Sequence, residues 1–306
     1  MNTTGLSLVM YFYMFICLSI LVYSVAYMQM DRMGKRQGAR NKEKWRQEIA
    51  EECRRVAEEL GVSARHRNRL EKRLKKLSAL LSYHEAILQL MQEQGERRVQ
   101  PYLDACLLSF QSLAVYFVSR PAQERAFFAH LMALYHPNRQ NGGGQIAEIL
   151  LLYFDDSTVY CRENTLQALY ASGKAGTVAQ AFSLLNDSGW YHYPRLLSDG
   201  LAAFPGDQTE LARRLWARCG GWNDSLQVAV VQFITNLPGE AFAQEFLQAL
   251  ADRRMPLETR FALVRYFQRH VTPKAKPVLL SFLSDGQADQ GGLAIVAASA
   301  LDRYPV

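Results

Sequence analysis

The strongest constraint on the fold is an apolar pattern that recurs about every 33 residues from residue 144 onwards. Equivalent apolar residues of a first helix are Phe154, Leu185, Trp216, Leu250 and Leu283, at spacings of 31, 31, 34 and 33. Those of a second helix are Leu169, Leu201, Phe233, Tyr266 and Leu301, at spacings of 32, 32, 33 and 35. Two separate registers with one period predict a stack of helix pairs, each of which buries its apolar face against its neighbours.

The second-helix pattern is clearest in the segment RENTLQALYASG at 162–173. It resembles the HEAT-repeat family, through Arg162, Leu166, Ala168, Leu169 and Gly173. The resemblance covers about residues 101–306, with one more pair at 101–119 and 121–136, although the consensus arginine is not held in register in the later units. It implies an all-α, right-handed α-solenoid of about six helix pairs that binds proteins or serves as a scaffold. The fold alone does not establish that function.

A second constraint is the apolar run from Leu6 to Met28, which has 23 residues and no charge, Gly or Pro. At about 1.5 Å per residue, this length matches a hydrocarbon layer of roughly 30 Å. The run therefore predicts a single transmembrane helix at 6–28 behind a short extracytoplasmic tail at 1–5. A cleaved signal peptide and a buried core helix are the alternatives, and the first is disfavoured because MNTTG contains no Lys or Arg.

The basic residues of the chain lie mainly behind this run. The formal net charge is +6, and residues 31–76 contain 16 Lys and Arg against 8 acidic residues. Positive charge on the carboxyl side predicts a plasma-membrane protein with its N-terminus outside and its C-terminal domain cytoplasmic. Candidate contacts with anionic lipid are Arg32, Lys35, Arg36 and Arg40, which could equally be solvated helix faces and a topology signal. Nucleic acid is an unlikely partner for a membrane-bound domain that is nearly neutral.

The basic juxtamembrane segment, 29–96, predicts two helices. A helix at 41–60 places Trp45, Ile49, Val56 and Leu60 on one face and ends at Gly61, and Ser63 can cap the next helix. The second helix carries a leucine seam (Leu70, Leu74, Leu77, Leu81, His84, Leu88 and Met91) with heptad spacing. This seam requires a helical partner: the 41–60 helix folded back as a hairpin, the first repeat, or a second copy in a homodimer through 70–91. Intramolecular packing is favoured because three heptads are short for a separate coiled coil.

The sequence gives no indication of catalysis. It lacks GxxxxGK[ST], GxGxxG, HExxH and GxSxG, and its five cysteines form no CxxC pair. Adjacent Asp155 and Asp156 fall where Asp187, Asp252 and Asp285 recur, which indicates a structural role at helix ends. No catalytic site, cofactor or metal is therefore predicted. The alternatives are an enzyme on a HEAT-like fold, as in some phycobilin lyases and DNA glycosylases, and a membrane-surface lipid-binding protein that uses the basic segment.

Two groups of residues are candidates for binding a protein partner. The aromatic segment WYHYPR contributes Trp190, Tyr191, His192, Tyr193 and Arg195. A later helix contributes Arg260, Arg265 and Arg269. Local packing and ordinary solvated helix faces are the respective alternatives, and Gly142–Gly144 could be a hinge or a loop. The predicted function is a membrane-anchored scaffold or adaptor that binds a cytoplasmic protein or the soluble part of another membrane protein.

Overall fold

A computed structural model describes residues 3–135, 144–154, 158–284 and 291–304. In these residues the secondary structure is helical throughout, with no strand, so the all-α prediction is confirmed. The α-helices are α1 (Thr3–Ala57), α2 (Ala64–Arg73), α3 (Leu77–Gln94), α4 (Glu96–Ala105), α5 (Leu107–Val118), α6 (Ala122–Tyr135), α7 (Gly144–Leu151), α8 (Val159–Ala171), α9 (Ala175–Asp187), α10 (Pro194–Ala202), α11 (Gln208–Cys219), α12 (Asp224–Thr235), α13 (Ala243–Ala251), α14 (Leu257–Arg269), α15 (Lys276–Ser284) and α16 (Gly291–Leu301). Gly142, Asp155, Asp156 and Asp285 lie outside the described residues.

The chain divides into two compact units, Met1–Ser109 and Phe110–Val306. The sequence places a domain boundary earlier, between residues 96 and 97. The structure moves α4 into the first unit because this helix packs against α1 and α3. Val99, Tyr102 and Leu103 of α4 are fully buried as a result.

The first unit is built on α1, a continuous helix of 55 residues. Every described side chain from residue 13 to residue 29 is exposed, whereas Trp45 and Ile49 near the other end are buried. The apolar run and the predicted 41–60 helix are thus one helix, which ends at Ala57 and leaves Leu60 exposed. Within the described residues, α1 is long and apolar enough to cross a membrane. Helices α4 and α5, which meet at a bend, are long and apolar enough to cross a membrane only if they are counted as one span. Phe110 and Phe117 of α5 are buried.

The turn between α1 and α2 is fixed by a buried carboxylate. Ser63 caps α2 as predicted, because its hydroxyl accepts a hydrogen bond from the His66 N–H at 3.3 Å. The Glu52 carboxylate in turn accepts from the Ser63 N–H at 2.8 Å and from its hydroxyl at 2.5 Å. Behind this turn, His66 Nε2 lies 2.8 Å from the hydroxyl of Tyr102. Trp45 packs edge-on against Tyr83 with ring centroids 5.4 Å apart.

In α3 the residues of the predicted leucine seam are not the ones that are buried within the chain. Leu70 and Leu74 are buried, but α2 ends at Arg73 and a separate helix begins at Leu77. The residues of α3 that pack inward include Leu80, Tyr83, Ile87 and Leu90, while Leu77, Leu81 and Leu88 remain more than a third exposed. Both sets have heptad spacing, so periodicity alone could not choose between them. Packing against α1 favours the set with the larger Tyr and the β-branched Ile.

In the second unit two series of helices form in which a helix contacts the next helix but one along the chain. The even-numbered helices from α6 to α16 form one such series, and α7, α9 and α11 form another, with α13 against α15. The equivalent residues of the predicted second helices lie on α8, α10, α12, α14 and α16, and four of the five first-helix residues lie on α9, α11, α13 and α15. The fifth, Phe154, ends a short 3-10 helix that follows α7. Pro121 directly precedes α6, as predicted, and its carbonyl accepts the Arg125 N–H at 3.1 Å. We call the first series the even-numbered layer, and α7, α9, α11, α13 and α15 the other layer.

Candidate functional site

The exposed side of the even-numbered layer carries a row of residues at equivalent positions on α6, α8, α10, α12 and α14. These residues, called here the polar row, are His130, Gln167, Gly200, Gln232 and Arg265, at spacings of 37, 33, 32 and 33. All five are at least partly exposed, and the helices that carry them contact one another in order. The polar row therefore crosses one continuous face of the second unit, which we call the outer face.

An apolar depression of about 460 Å³ opens on the outer face between α6, α8 and α10. Its lining comprises His130, Ala133, Leu134, Gln167, Tyr170, Ala171, Gly200, Ala203 and Pro205. Three alanines leave the space open. Gly200 brings α8 and α10 close, since a Cβ there would lie 2.4 Å from Cε2 of Tyr170. The depression can accept an apolar side chain.

A charged depression of about 370 Å³ lies beside it, between α10, α12 and α14. Its lining comprises Arg195, Ser198, Asp199, Gln232, Thr235, Asn236, Ala262 and Arg265. The structure thus brings Arg195 and Arg265 together, although the sequence assigned them to separate groups. Arg269 is bound at the edge, since its Nη1 donates to Oδ1 of Asn236 at 2.6 Å. Asp199 of α10, at 3.9 Å from Arg195, is followed directly by Gly200 of the apolar depression, so the two depressions meet.

Two predicted partner-binding residues are not available on the surface. Arg260 is buried, and its guanidinium lies 4.9 Å from the ring centroid of Phe282. His192 is also buried, and its Nε2 has no hydrogen-bond partner among the described residues. Burial, together with the positive charge of Arg162, lowers the pKa of His192. Both side chains therefore have structural rather than partner-binding roles.

The other three predicted aromatic residues remain exposed. The guanidinium carbon of Arg162 lies 4.8 Å from the centroid of the Trp190 ring. Tyr191 and Tyr193 project into solvent. Tyr160, which the sequence analysis missed, completes the set of exposed aromatic residues among the described part of the second unit. It lies 33 residues before Tyr193, so aligning the second helices would have revealed it.

The predicted lipid contacts share one face of α1. Arg32, Lys35, Arg36 and Arg40 follow at intervals of three, one and four residues, and all four are exposed. Because α1 is unbroken here, Arg40 lies about 12 Å along the helix axis from Arg32. The four residues therefore differ in their distance from the end of the apolar run.

The thiols of the described residues are mostly buried and unreactive. Burial raises the pKa of Cys53 to about 11 and of both Cys106 and Cys219 to about 12. A thiol becomes a nucleophile or a metal ligand as the thiolate, which these shifts disfavour at neutral pH. Among the described side chains no group of three His, Cys, Asp or Glu residues is placed to hold a metal ion.

Comparison of the chain with protein-family models, curated proteins and solved structures gives no match.

Proposed function

We propose that this protein is a membrane-tethered scaffold with a HEAT-like α-solenoid that binds a cytoplasmic protein or the soluble part of another membrane protein. The observation that carries the proposal is the outer face, where an apolar and a charged depression meet on consecutive helices. Such a face combines apolar contact area with a few directed polar groups, as protein-binding surfaces do.

The arrangement of helices supports the solenoid interpretation. Contacts between every second helix, along α6 to α16 in one series and along α7, α9 and α11 in the other, match a stack of helix pairs. The helix registers also reveal more repetition than the sequence analysis recognised. Arg125, Arg162, Arg195, Gln227 and Arg260 occupy equivalent positions, at spacings of 37, 33, 32 and 33. All of these except Arg195 are buried.

The exposed apolar part of α1 supports membrane anchoring. Leaving so many large apolar side chains in water is unfavourable, whereas lipid hydrocarbon would cover them. The basic residues that follow favour the orientation with the second unit in the cytoplasm. Arg32, Lys35 and Arg36 would then lie nearest the lipid head groups. Arg40 would lie farther from them, about 12 Å beyond Arg32 along the helix axis.

Photo-crosslinking in native membranes tests the proposal. The full chain would carry p-benzoylphenylalanine in place of Gln167 or Gln232 on the outer face. A matched control carries it in place of Gln180, an exposed glutamine of α9 on the other layer. We expect discrete protein adducts from the first two positions and none from the third. Adducts from the control alone, or no protein adduct from the outer face, would overturn the proposal.

A further inference from the structure

We propose that the outer face recognises an extended peptide segment in which an apolar side chain is followed, about six residues away, by Asp or Glu. This inference rests on the proposed function, because it names the kind of segment that the scaffold binds. It depends on three properties of the face: the spacing of the polar row, the shape of the apolar depression and the charge of its neighbour.

The polar row suits an extended backbone. Gln167 and Gln232 each offer an amide that both donates and accepts hydrogen bonds, as peptide groups do. Gln167 lies on α8 and Gln232 on α12, and α10 lies between these helices in the layer. The axes of α8 and α12 are therefore roughly 16–20 Å apart, given the usual spacing of packed helices. An extended chain covers that distance in five or six residues at about 3.3 Å each. Between them Gly200 has no side chain, so a peptide backbone can approach the helix there.

The apolar depression fixes one end of the segment. Its space arises from Ala133, Ala171 and Ala203, and the exposed side chain of Leu134 forms part of its wall. A Leu or Phe side chain would remove these apolar atoms from water. The depression is centred on α8, two helices away from α12 at the centre of the charged depression.

The charged depression selects acidic side chains at the other end. Its lining has two arginines and one carboxylate, so it has a positive excess. In the described part of the chain Arg265 has no ion-pair partner. Arg195 is held only by a 3.9 Å contact with Asp199, in which both side chains are largely exposed. Exposed ion pairs of this kind contribute little, so Arg195 can turn to a peptide carboxylate at small cost.

A binding measurement with defined peptides tests the inference. The full chain in neutral detergent micelles is titrated into the fluorescein-labelled peptide GSLSGSGSDDGS, followed by anisotropy. Two matched peptides replace the Leu by Ser or the two Asp by Lys. We expect the first peptide to bind about tenfold more tightly than either variant, because each loses one anchor. Equal binding of the three peptides, or no binding of the first at about 1 mM, would overturn the inference.

Charge reversal in the protein sharpens the test. Arg265→Glu should weaken binding of the Asp peptide about tenfold and strengthen binding of the Lys peptide. The control Arg213→Glu changes an exposed arginine of α11 on the other layer and should change neither affinity by more than about twofold. An equal loss in both protein variants would contradict a specific site. Unchanged circular dichroism melting of Arg265→Glu establishes that this variant is folded.

Different experimental results would contradict the scaffold function and the acidic-peptide inference. If photo-crosslinks from Gln167 and Gln232 persist while the peptides do not bind, the scaffold function stands and the acidic-peptide inference is wrong. If the outer face gives no protein adduct, the function itself is wrong. A peptide that binds only as a preformed amphipathic helix would also contradict the extended segment.

Discussion

At the residue scale, buried polar side chains mark the equivalent positions of the second unit. Arg125, Arg162 and Arg260 are almost fully buried, and Gln227 takes the same position in α12. There its side-chain amide donates to the Trp222 carbonyl at 2.7 Å and accepts from the Thr259 hydroxyl at 3.2 Å. Burying polar groups is tolerated only when they are hydrogen-bonded or paired. At this position Gln227 of α12 therefore links its helix to Thr259 of α14.

Gly200→Ala should destabilise the protein and narrow the apolar depression. The added methyl group would meet the ring of the buried Tyr170, and such overpacking costs about 1–3 kcal/mol. The higher helix propensity of Ala offsets less than about 1 kcal/mol of this loss in stability. Urea unfolding should show a lower free energy of unfolding. The control Gly176→Ala, in the more open α9, should be neutral or slightly stabilising, and a larger loss there would contradict the steric explanation.

Acid should destabilise the second unit through His192. The pKa of His192 in the folded protein lies below its unfolded value near 6.5. Burial is the larger cause, and the positive charge of Arg162 is the smaller one. The unfolded chain therefore binds the proton first. The stability due to the neutral imidazole is present above about pH 6.5 and is lost as the pH falls through the folded-state pKa. Urea midpoints between pH 8 and 5 should fall less steeply in His192→Gln than in the wild type, and an unchanged slope would contradict this role.

At the element scale, α3 has two apolar faces. One packs on α1, and the other presents Leu77, Leu81 and Leu88 to solvent at heptad spacing. Exposed apolar stripes of this kind indicate interaction sites. The homodimer through 70–91 thus remains a prediction, and this exposed face of α3 is where it would form.

Cysteine cross-linking tests that homodimer. In a Cys17→Ser background, Leu81→Cys should form a disulfide-linked dimer under mild oxidation, because the same face of a second α3 would oppose it. The control Asn68→Cys places a thiol at an exposed position of α2 and should remain monomeric. Non-reducing electrophoresis distinguishes the two. Equal cross-linking of both variants would indicate random collision rather than a specific interface.

At the scale of the whole molecule, α1 joins the proposed membrane anchor to the rest of the first unit. Its apolar part and its packed part form one helix, so no loop separates the anchor from that unit. The basic residues predicted to orient the anchor lie on the same helix, directly before Trp45, which is buried. Orientation in the membrane should therefore be decided by residues 32–46.

Thiol labelling tests the orientation. Arg213→Cys, on the exposed surface of α11, should react with a membrane-impermeant maleimide only after cells are permeabilised. Thr4→Cys, ahead of the apolar run, should react in intact cells. Replacing Arg32, Lys35, Arg36 and Arg40 together by Gln should increase the fraction with reversed labelling, because it removes most of the positive bias near the helix end. Labelling of Arg213→Cys in intact wild-type cells would contradict the predicted topology.

Periodicity by itself determined much of this protein. The apolar run, the Ser63 cap and the alternation of first and second helices were predicted from sequence, because each depends on local spacing and composition. Tertiary structure decided which of two heptad stripes α3 buries, since both have the same spacing and only packing against α1 distinguishes them. It also decided that Arg195 and Arg265, 70 residues apart, line one depression, whereas Arg260 is buried. The side of a helix that faces solvent depends on its neighbours, and a single sequence does not specify them.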